Sequence, residues 1–228
     1  MPKRLQREIE KLKKMLLALG AVVEERVRLS VKAMQERDAK LVQQVINGDP
    51  EIDQMEVDLE EEGLKILALH QPVAIDLRFI IAVLKINNDL ERVGDLAVNI
   101  AERAAFLATR KPVEEPLDFP AMFEKTQQML RKSLDSLVNL DTNLALEVCA
   151  SDDEVDAMNQ AMYKNIEEGI RKHPDQINSF IHLLSTSRHL ERIADHATNI
   201  AEDVIYMITG DIVRHCAEDY THLKKSGQ

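Results

Sequence analysis

The 228-residue chain is 45% hydrophobic and 30% charged, long enough for a real core, and its 7 Gly, 7 Pro, 5 Phe, 3 Tyr and absence of Trp disfavour sheets and point to an all-α protein. Forty acidic against 29 basic residues give a net charge of −11, which argues against nucleic acid or anionic lipid as a partner and favours cations. Two cysteines, Cys149 and Cys216, are too few for a disulfide framework and too far apart for a zinc pair, so a reducing, cytoplasmic setting is expected.

Lys3, Arg4 and Arg7 ahead of the apolar stretch 15–23 resemble a signal peptide. However, Glu8 and Glu10 interrupt the basic residues, Glu24-Glu25-Arg26 follows at once, and no small-x-small cleavage site is present. No apolar run approaches the ~20 residues that cross a bilayer, so no direct membrane insertion is expected. Leu5, Ile9, Leu12, Leu16, Leu19, Val23, Val27, Ser30 and Met34 recur at helical spacing, and Leu41 and Val45 continue the stripe. This first helix is expected to run about 43 residues to Asn47-Gly48-Asp49-Pro50, where Gly48 suits a left-handed C-terminal position, Asp49 can cap the next helix and Pro50 fits its first turn. A second helix, with Ile52, Met55, Leu59, Ile66 and Leu67 inward, reaches His70-Gln71-Pro72. A third, over about 73–109, carries the seam Ile86, Leu90, Val93, Ala97, Ile100 and Ala104.

Pro112, Pro116 and Pro120 mark a linker over 111–120. Beyond it the plan repeats, with a helix to about Ala150, a break at Ser151-Asp152, a helix to His173-Pro174 and a long helix ending at Gly210. The expected architecture is two tandem three-helix bundles, 1–110 and 121–210, followed by a polar tail, 211–228, to which no structure is assigned. Residues 1–17 have no counterpart in the second half, so their stripe of Leu5, Ile9, Leu12 and Leu16 is expected to pack against the other bundle or a second subunit.

The halves are an internal duplication. Leu90-Glu91-Arg92-Val93-Gly94-Asp95-Leu96-Ala97-Val98-Asn99-Ile100-Ala101-Glu102 matches 190–202 at nine of thirteen positions, at an offset of 100. Asp38, Asp49, Asp53 and Met55 match Asp141, Asp152, Asp156 and Met158 at an offset of 103.

Within the repeat, Glu91 and Asp95 lie one helical turn apart, with Asn99 one turn further along, and Glu191, Asp195 and Asn199 repeat the stripe. This stripe falls roughly opposite the seam and predicts a shallow site. A turn near 71–73 brings Asp53 level with Glu91 and Asp49 level with Asp95. A turn near 173–174 brings Asp156 level with Arg192 and Asp152 level with His196. Each bundle is thus expected to face Asp-x-x-x-Asp with Glu-x-x-x-Asp, a set that attracts divalent or trivalent metal and can bridge more than one ion. The competing reading makes Asp49 and Asp152 helix caps and the acid pairs a solvated face.

His182, His189 and His196 recur every seven residues on a face bordering the seam, which suits interface histidines better than ligands. Met55, Met158 and Met162 read as core filler. A di-iron enzyme would need Glu-x-x-His, which is absent, as are phosphate loops and nucleophile sets, so no enzyme is expected. A helical metal-storage or structural module stays open, with a carboxylate-bridged di-iron enzyme the less favoured alternative.

The two Leu-Glu-Arg-x-x-Asp-x-x-x-Asn-Ile segments, at 90–100 and 190–200, resemble the paired signatures of the PhoU family, and Pro72-Val73-Ala74-Ile75-Asp76-Leu77-Arg78 is similar to the family's turn before the third helix. The resemblance covers about 1–210 and departs at Ala194, where Gly often precedes the Asp. It implies a cytoplasmic adaptor, often a homodimer, with multinuclear iron or zinc clusters on Glu91, Asp95, Glu191 and Asp195 and less securely on Asp49, Asp53, Asp152 and Asp156. It also implies a negative regulatory role linking a phosphate ABC transporter's ATPase subunit to a membrane sensor histidine kinase.

Overall fold

A computed structural model describes residues 3–114 and 117–210. They form α1 (Lys3–Glu36), α2 (Ala39–Asn47), α3 (Asp49–His70), α4 (Ile75–Ala108), α5 (Phe119–Asn139), α6 (Thr142–Cys149), α7 (Asp152–Lys172), a 3-10 turn (Pro174–Gln176) and α8 (Ile177–Thr209), with no strand among the described residues. The polar tail 211–228 lies outside them. The fold is two three-helix bundles: α1 with α2, α3 and α4 build the first, and α5 with α6, α7 and α8 the second.

The opening helix of each bundle is broken once. Arg37 (φ 54) and Leu140 (φ 52) turn left-handed, and the aspartate after each caps the short helix that follows. Asp38 accepts from the Lys40 N–H at 2.7 Å, and Asp141 from the Asn143 and Leu144 N–H groups at 2.9 and 3.1 Å. An aspartate that satisfies its own backbone donors in this way favours a break over continued helix. Apolar periodicity crosses the break undisturbed because Val42 and Val45 still face the core.

The expected caps at 48–49 and 152 differ in the structure. Gly48 has φ −91, so it is not left-handed, and both Asp49 and Asp152 sit in the first turn of their helices, behind Gly48 and Ser151, which make no side-chain cap. Gly48 instead leaves room for a side chain. The Arg26 guanidinium lies where a Cβ would stand, pairs with Glu51 at 2.7 Å, and would have to move for any larger residue. Asp76 likewise lies in the first turn of α4 behind Ala74.

The two long closing helices, α4 and α8, form the centre of the molecule. Ile80, Val83, Ile86, Leu90, Val93, Ala97 and Ile100 are buried along α4, and Leu190, Ile193, Ala197, Ile200 and Val204 along α8. Each such Leu, Ile or Val side chain contributes about 1.5–3 kcal/mol on burial, so this seam dominates cohesion. The two helices run antiparallel. Lys85 Nζ meets Asp203 Oδ1 at 2.6 Å, His196 Nδ1 meets Asp89 Oδ1 at 2.7 Å, and His182 stacks on Phe106 at 3.7 Å. Duplicated residues of α4 and α8 therefore occupy opposite ends of one interface, and the histidine row lies along it. A second contact joins the bundles where α1 crosses α5, with Gly20 admitting the Leu134 side chain; a Cβ there would stand 2.9 Å from Leu134 Cδ2.

The extension of α1 is covered within its own chain. Leu5, Leu12 and Leu16 are buried, and Lys11 Nζ pairs with Glu62 Oε2 of α3 at 2.7 Å. Its apolar stripe therefore packs largely on its own bundle, a partner the spacing alone did not identify, because α3 carries matching apolar positions at Leu59, Gly63 and Ile66.

Candidate metal centre

The second bundle holds the tighter acidic cluster. Asp152 and Asp156 rise from the first turns of α7, and Glu191 and Asp195 lie one turn apart on α8. Asp156, Glu191 and Asp195 each offer an oxygen within 4.8 Å of the others, and among the described residues no other three acidic, histidine or cysteine side chains do so. Cation–oxygen bonds of about 2.0–2.6 Å allow ligand oxygens to stand up to ~5 Å apart across one ion. Asp156 and Asp195 are exposed and Glu191 half-buried, so the site is shallow.

Burial first, and the neighbouring carboxylates after it, disfavour charge on the acids of this cluster. Burial, with Glu191, Asp152 and Asp156 around it, pushes the Asp195 carboxyl up to about 6, against an opposing pull from His196. Burial and then Asp156 raise Glu191, while Arg188 and Arg192 oppose. Burial raises Asp152 as well, partly offset by the Thr198 hydroxyl, which donates to Asp152 Oδ1 at 3.2 Å. These groups hold their negative charges reluctantly, and a bound cation relieves that cost.

The first bundle repeats the set more loosely. Burial raises Asp49, with Asp53 and Asp95 adding to it and Arg26 opposing. Glu91 is raised by burial and then by Asp95, with further contributions from Glu56 and Asp53. Glu56 is a member the sequence analysis missed, although it continues the 49, 53 stripe at the next helical step. Its carboxylate accepts from Asn87 Nδ2 at 3.2 Å. At the duplicated position Asn159 Oδ1 accepts instead from Ser187 at 2.6 Å, so the second cluster lacks this fifth carboxylate.

The two asparagines of the stripe have other engagements. Asn99 donates to the Asp95 carbonyl oxygen at 2.9 Å, and Asn199 donates across the interface to Asp89 Oδ1 at 3.3 Å. His196 is held by the same Asp89, so its ring faces α4 rather than the carboxylates of α7.

A family model described as PhoU domain matches this chain twice, over residues 16–104 and 119–204. The chain belongs to the PhoU family. A phosphate-specific transport system accessory protein PhoU homolog from Aquifex aeolicus (strain VF5) is 37% identical, over 99% of this chain and 100% of that protein. The Pseudomonas putida homolog of the same description is 38% identical, over 91% of this chain and 82% of its own length. The crystal structure of PhoU from Pseudomonas aeruginosa superposes with a TM-score of 0.88 at 37% identity, covering 90% of this chain and 99% of that one. The phosphate transport system regulatory protein PhoU from Streptococcus pneumoniae does so with a TM-score of 0.85 at 30% identity, covering 92% and 99%. The chain is therefore of the phosphate-transport accessory class, and no helix among its described residues is long and apolar enough to cross a membrane.

Proposed function

We propose that this chain is a negative regulator of phosphate uptake and of the phosphate-starvation response, acting in the cytoplasm as a metal-binding adaptor between the ATPase subunit of a phosphate ABC transporter and a membrane sensor histidine kinase. The observation that carries the metal half of this reading is the convergence of Asp156, Glu191 and Asp195, with the Asp195 carboxyl pushed up to about 6. The donor set is all oxygen, which suits a hard cation; of the family's metals it suits ferric iron better than zinc, which is well served by imidazole and thiolate. Asp152, Asp156, Glu191 and Asp195 hold one cluster, and Asp49, Asp53, Glu91 and Asp95 the other, with Glu56 as a further donor. Bound metal supplies positive charge that cross-links α7 to α8 and α3 to α4. The carboxylates then present a fixed, partly neutralised surface to a partner, and regulation proceeds by contact rather than turnover.

Metal analysis of protein purified without chelator or affinity resin tests the site: replacing Glu91 and Asp95 by Ala lowers bound metal by about half, since one of two clusters is lost. Unchanged metal with helicity retained makes the residues a solvated face. Pull-down from membranes in high and low phosphate tests the adaptor role, with recovery of the transporter ATPase or the kinase expected and recovery of neither counting against it. A phosphate-regulated reporter in a deletion strain separates this reading from a metal-storage module, which leaves the reporter unchanged. Light scattering of the full chain reads the proposed homodimer directly.

A further inference from the structure

One end of the first bundle differs in character from the rest of this acidic molecule. The Lys11–Glu62 pair at 2.7 Å and the Lys65–Glu8 pair at 4.0 Å set α1 antiparallel to α3, so the first turns of α1 lie level with the end of α3 and the turn into α4. Gly210, at the end of α8, packs against the Arg78 guanidinium and brings Ile208 to the same end. Here Val73 is 74% and Ile75 67% exposed, with Leu69, Leu77 and Ile81 also open to solvent. Lys3, Arg4 and Arg7 flank this tip, and none has an ion-pair partner among the described residues. Glu8, facing Lys65, Glu10 and Asp76 are the acidic residues nearby, and Lys3, Arg4, Arg7, Lys65 and Arg78 outnumber them. The net charge of −11 therefore does not describe this surface.

The duplication supplies an internal control. Leu77 and Ile81 recur as Ile177 and Ile181, both exposed, but Val73 and Ile75 become His173 and Asp175, and the basic extension has no counterpart. We propose that the α3–α4 tip docks on an anionic lipid surface, with Val73 and Ile75 entering the headgroup region and Lys3, Arg4 and Arg7 meeting the lipid phosphates. Exposed aliphatic side chains beside Lys and Arg suit interfacial insertion. A protein contact centres instead on anchors, aromatic above all, in pockets; the described tip has no Phe, Tyr or Trp among its exposed residues, and Arg4 and Arg7 flank the aliphatic patch. The surface lies apart from both acidic clusters, so the proposal is independent of metal binding and of the adaptor role.

The test is sedimentation of the full chain with phosphatidylglycerol-containing or pure phosphatidylcholine vesicles, in chelator so that no cation bridges the acidic clusters to lipid. Binding to the anionic vesicles alone, weakened by salt, is expected. The combined Lys3→Gln, Arg4→Gln, Arg7→Gln variant should bind about a hundredfold more weakly, from about fivefold for each basic residue at such a surface. Val73→Ser with Ile75→Ser should also weaken binding, whereas Ile177→Ser with Ile181→Ser should not, with circular dichroism unchanged throughout. The proposal is overturned if the wild-type chain ignores anionic vesicles at low salt, or if either tip variant binds as well as wild type. It is equally overturned if removing residues 211–228 is needed before any binding appears, which assigns the tip to the tail, or if the tip variants only dissociate an oligomer.

Discussion

Asp195→Asn should change stability in opposite directions with and without metal. In the folded protein the carboxyl is pushed from its ordinary 3.8 up to about 6. The folded state then binds more protons than the unfolded chain between those values, so stability is greatest below 3.8 and is lost as pH rises through about 6. At full strength that separation corresponds to about 3 kcal/mol at neutral pH. Asp195 is open to solvent as a residue even though its carboxyl is partly desolvated, and solvent screening reduces the usable figure to about 1 kcal/mol. In chelator at pH 7 the amide should therefore raise Tm by about 2–4 °C, the response of a domain this size to ~1 kcal/mol. With a trivalent or divalent cation at a hundred times its Kd, wild type gains about 2.7 kcal/mol and the variant, missing one of three converging ligands, loses most of that gain. Differential scanning fluorimetry with and without metal reads both signs. A variant less stable than wild type in chelator, or equally stabilised by metal, would refute the argument that desolvation and the neighbouring carboxylates make charge on Asp195 costly until a cation binds.

His189 should show the opposite pH dependence. Burial, with Arg103, Arg192 and Arg188, lowers its imidazole to about 4, so its contribution is intact above 6.5 and lost as pH falls towards 4; urea midpoints for His189→Gln should fall less over that window than those of wild type. Asp89→Ala removes the acceptor shared by His196 and Asn199 at the bundle interface and should cost about 1–3 kcal/mol in urea denaturation, a cost absent if those groups find water instead. Asp141→Ala removes the cap of α6 and should cost about 1 kcal/mol, whereas Asp135→Ala, exposed on α5, should cost little in the same assay. Leu90→Ala, at a fully buried position of α4, should cost about 2–5 kcal/mol by the same measurement, and a smaller loss would mean the core collapses around it.

Apolar spacing marked α3 and α4 because burial is what spacing reports, and the repeated plan with its breaks at 151–152 and 173–174 placed α7 and α8. Spacing could not see the breaks at Arg37 and Leu140, since Val42 and Val45 keep the stripe aligned on both sides of the first. The signal was nevertheless present: Asp38 and Asp141 recur at the offset that relates Asp49 to Asp152, and an aspartate before a short apolar run is a cap. The carboxylate rows could be placed from loop arithmetic because antiparallel helices of equal rise stay in step over the roughly five to six turns that separate them from the loop. Glu56 escaped because its duplicate is Asn159, so a search for repeated acids passed over it. The polar pairing of α4 with α8 was illegible for a deeper reason: Asp89, Lys85 and Asp203 find partners more than a hundred residues away, and nothing local in the sequence encodes that distance.

The duplication kept the scaffold and let the chemistry of the two acidic clusters diverge. In the first, Glu56 brings a fifth carboxylate, steadied by Asn87, while Arg26 lowers the cost of charge on Asp49. In the second, Asn159 and Ser187 bond to each other, and Thr198, where the first half has Val98, steadies Asp152. One cluster is thus richer in charge and looser, and the other poorer in charge but already converged to 4.8 Å. Preorganised ligands lose less conformational freedom on binding, whereas additional carboxylates strengthen attraction without fixing geometry. The same four-acid frame therefore offers two cation environments whose difference lies in the residues behind the carboxylates rather than in the repeated motif.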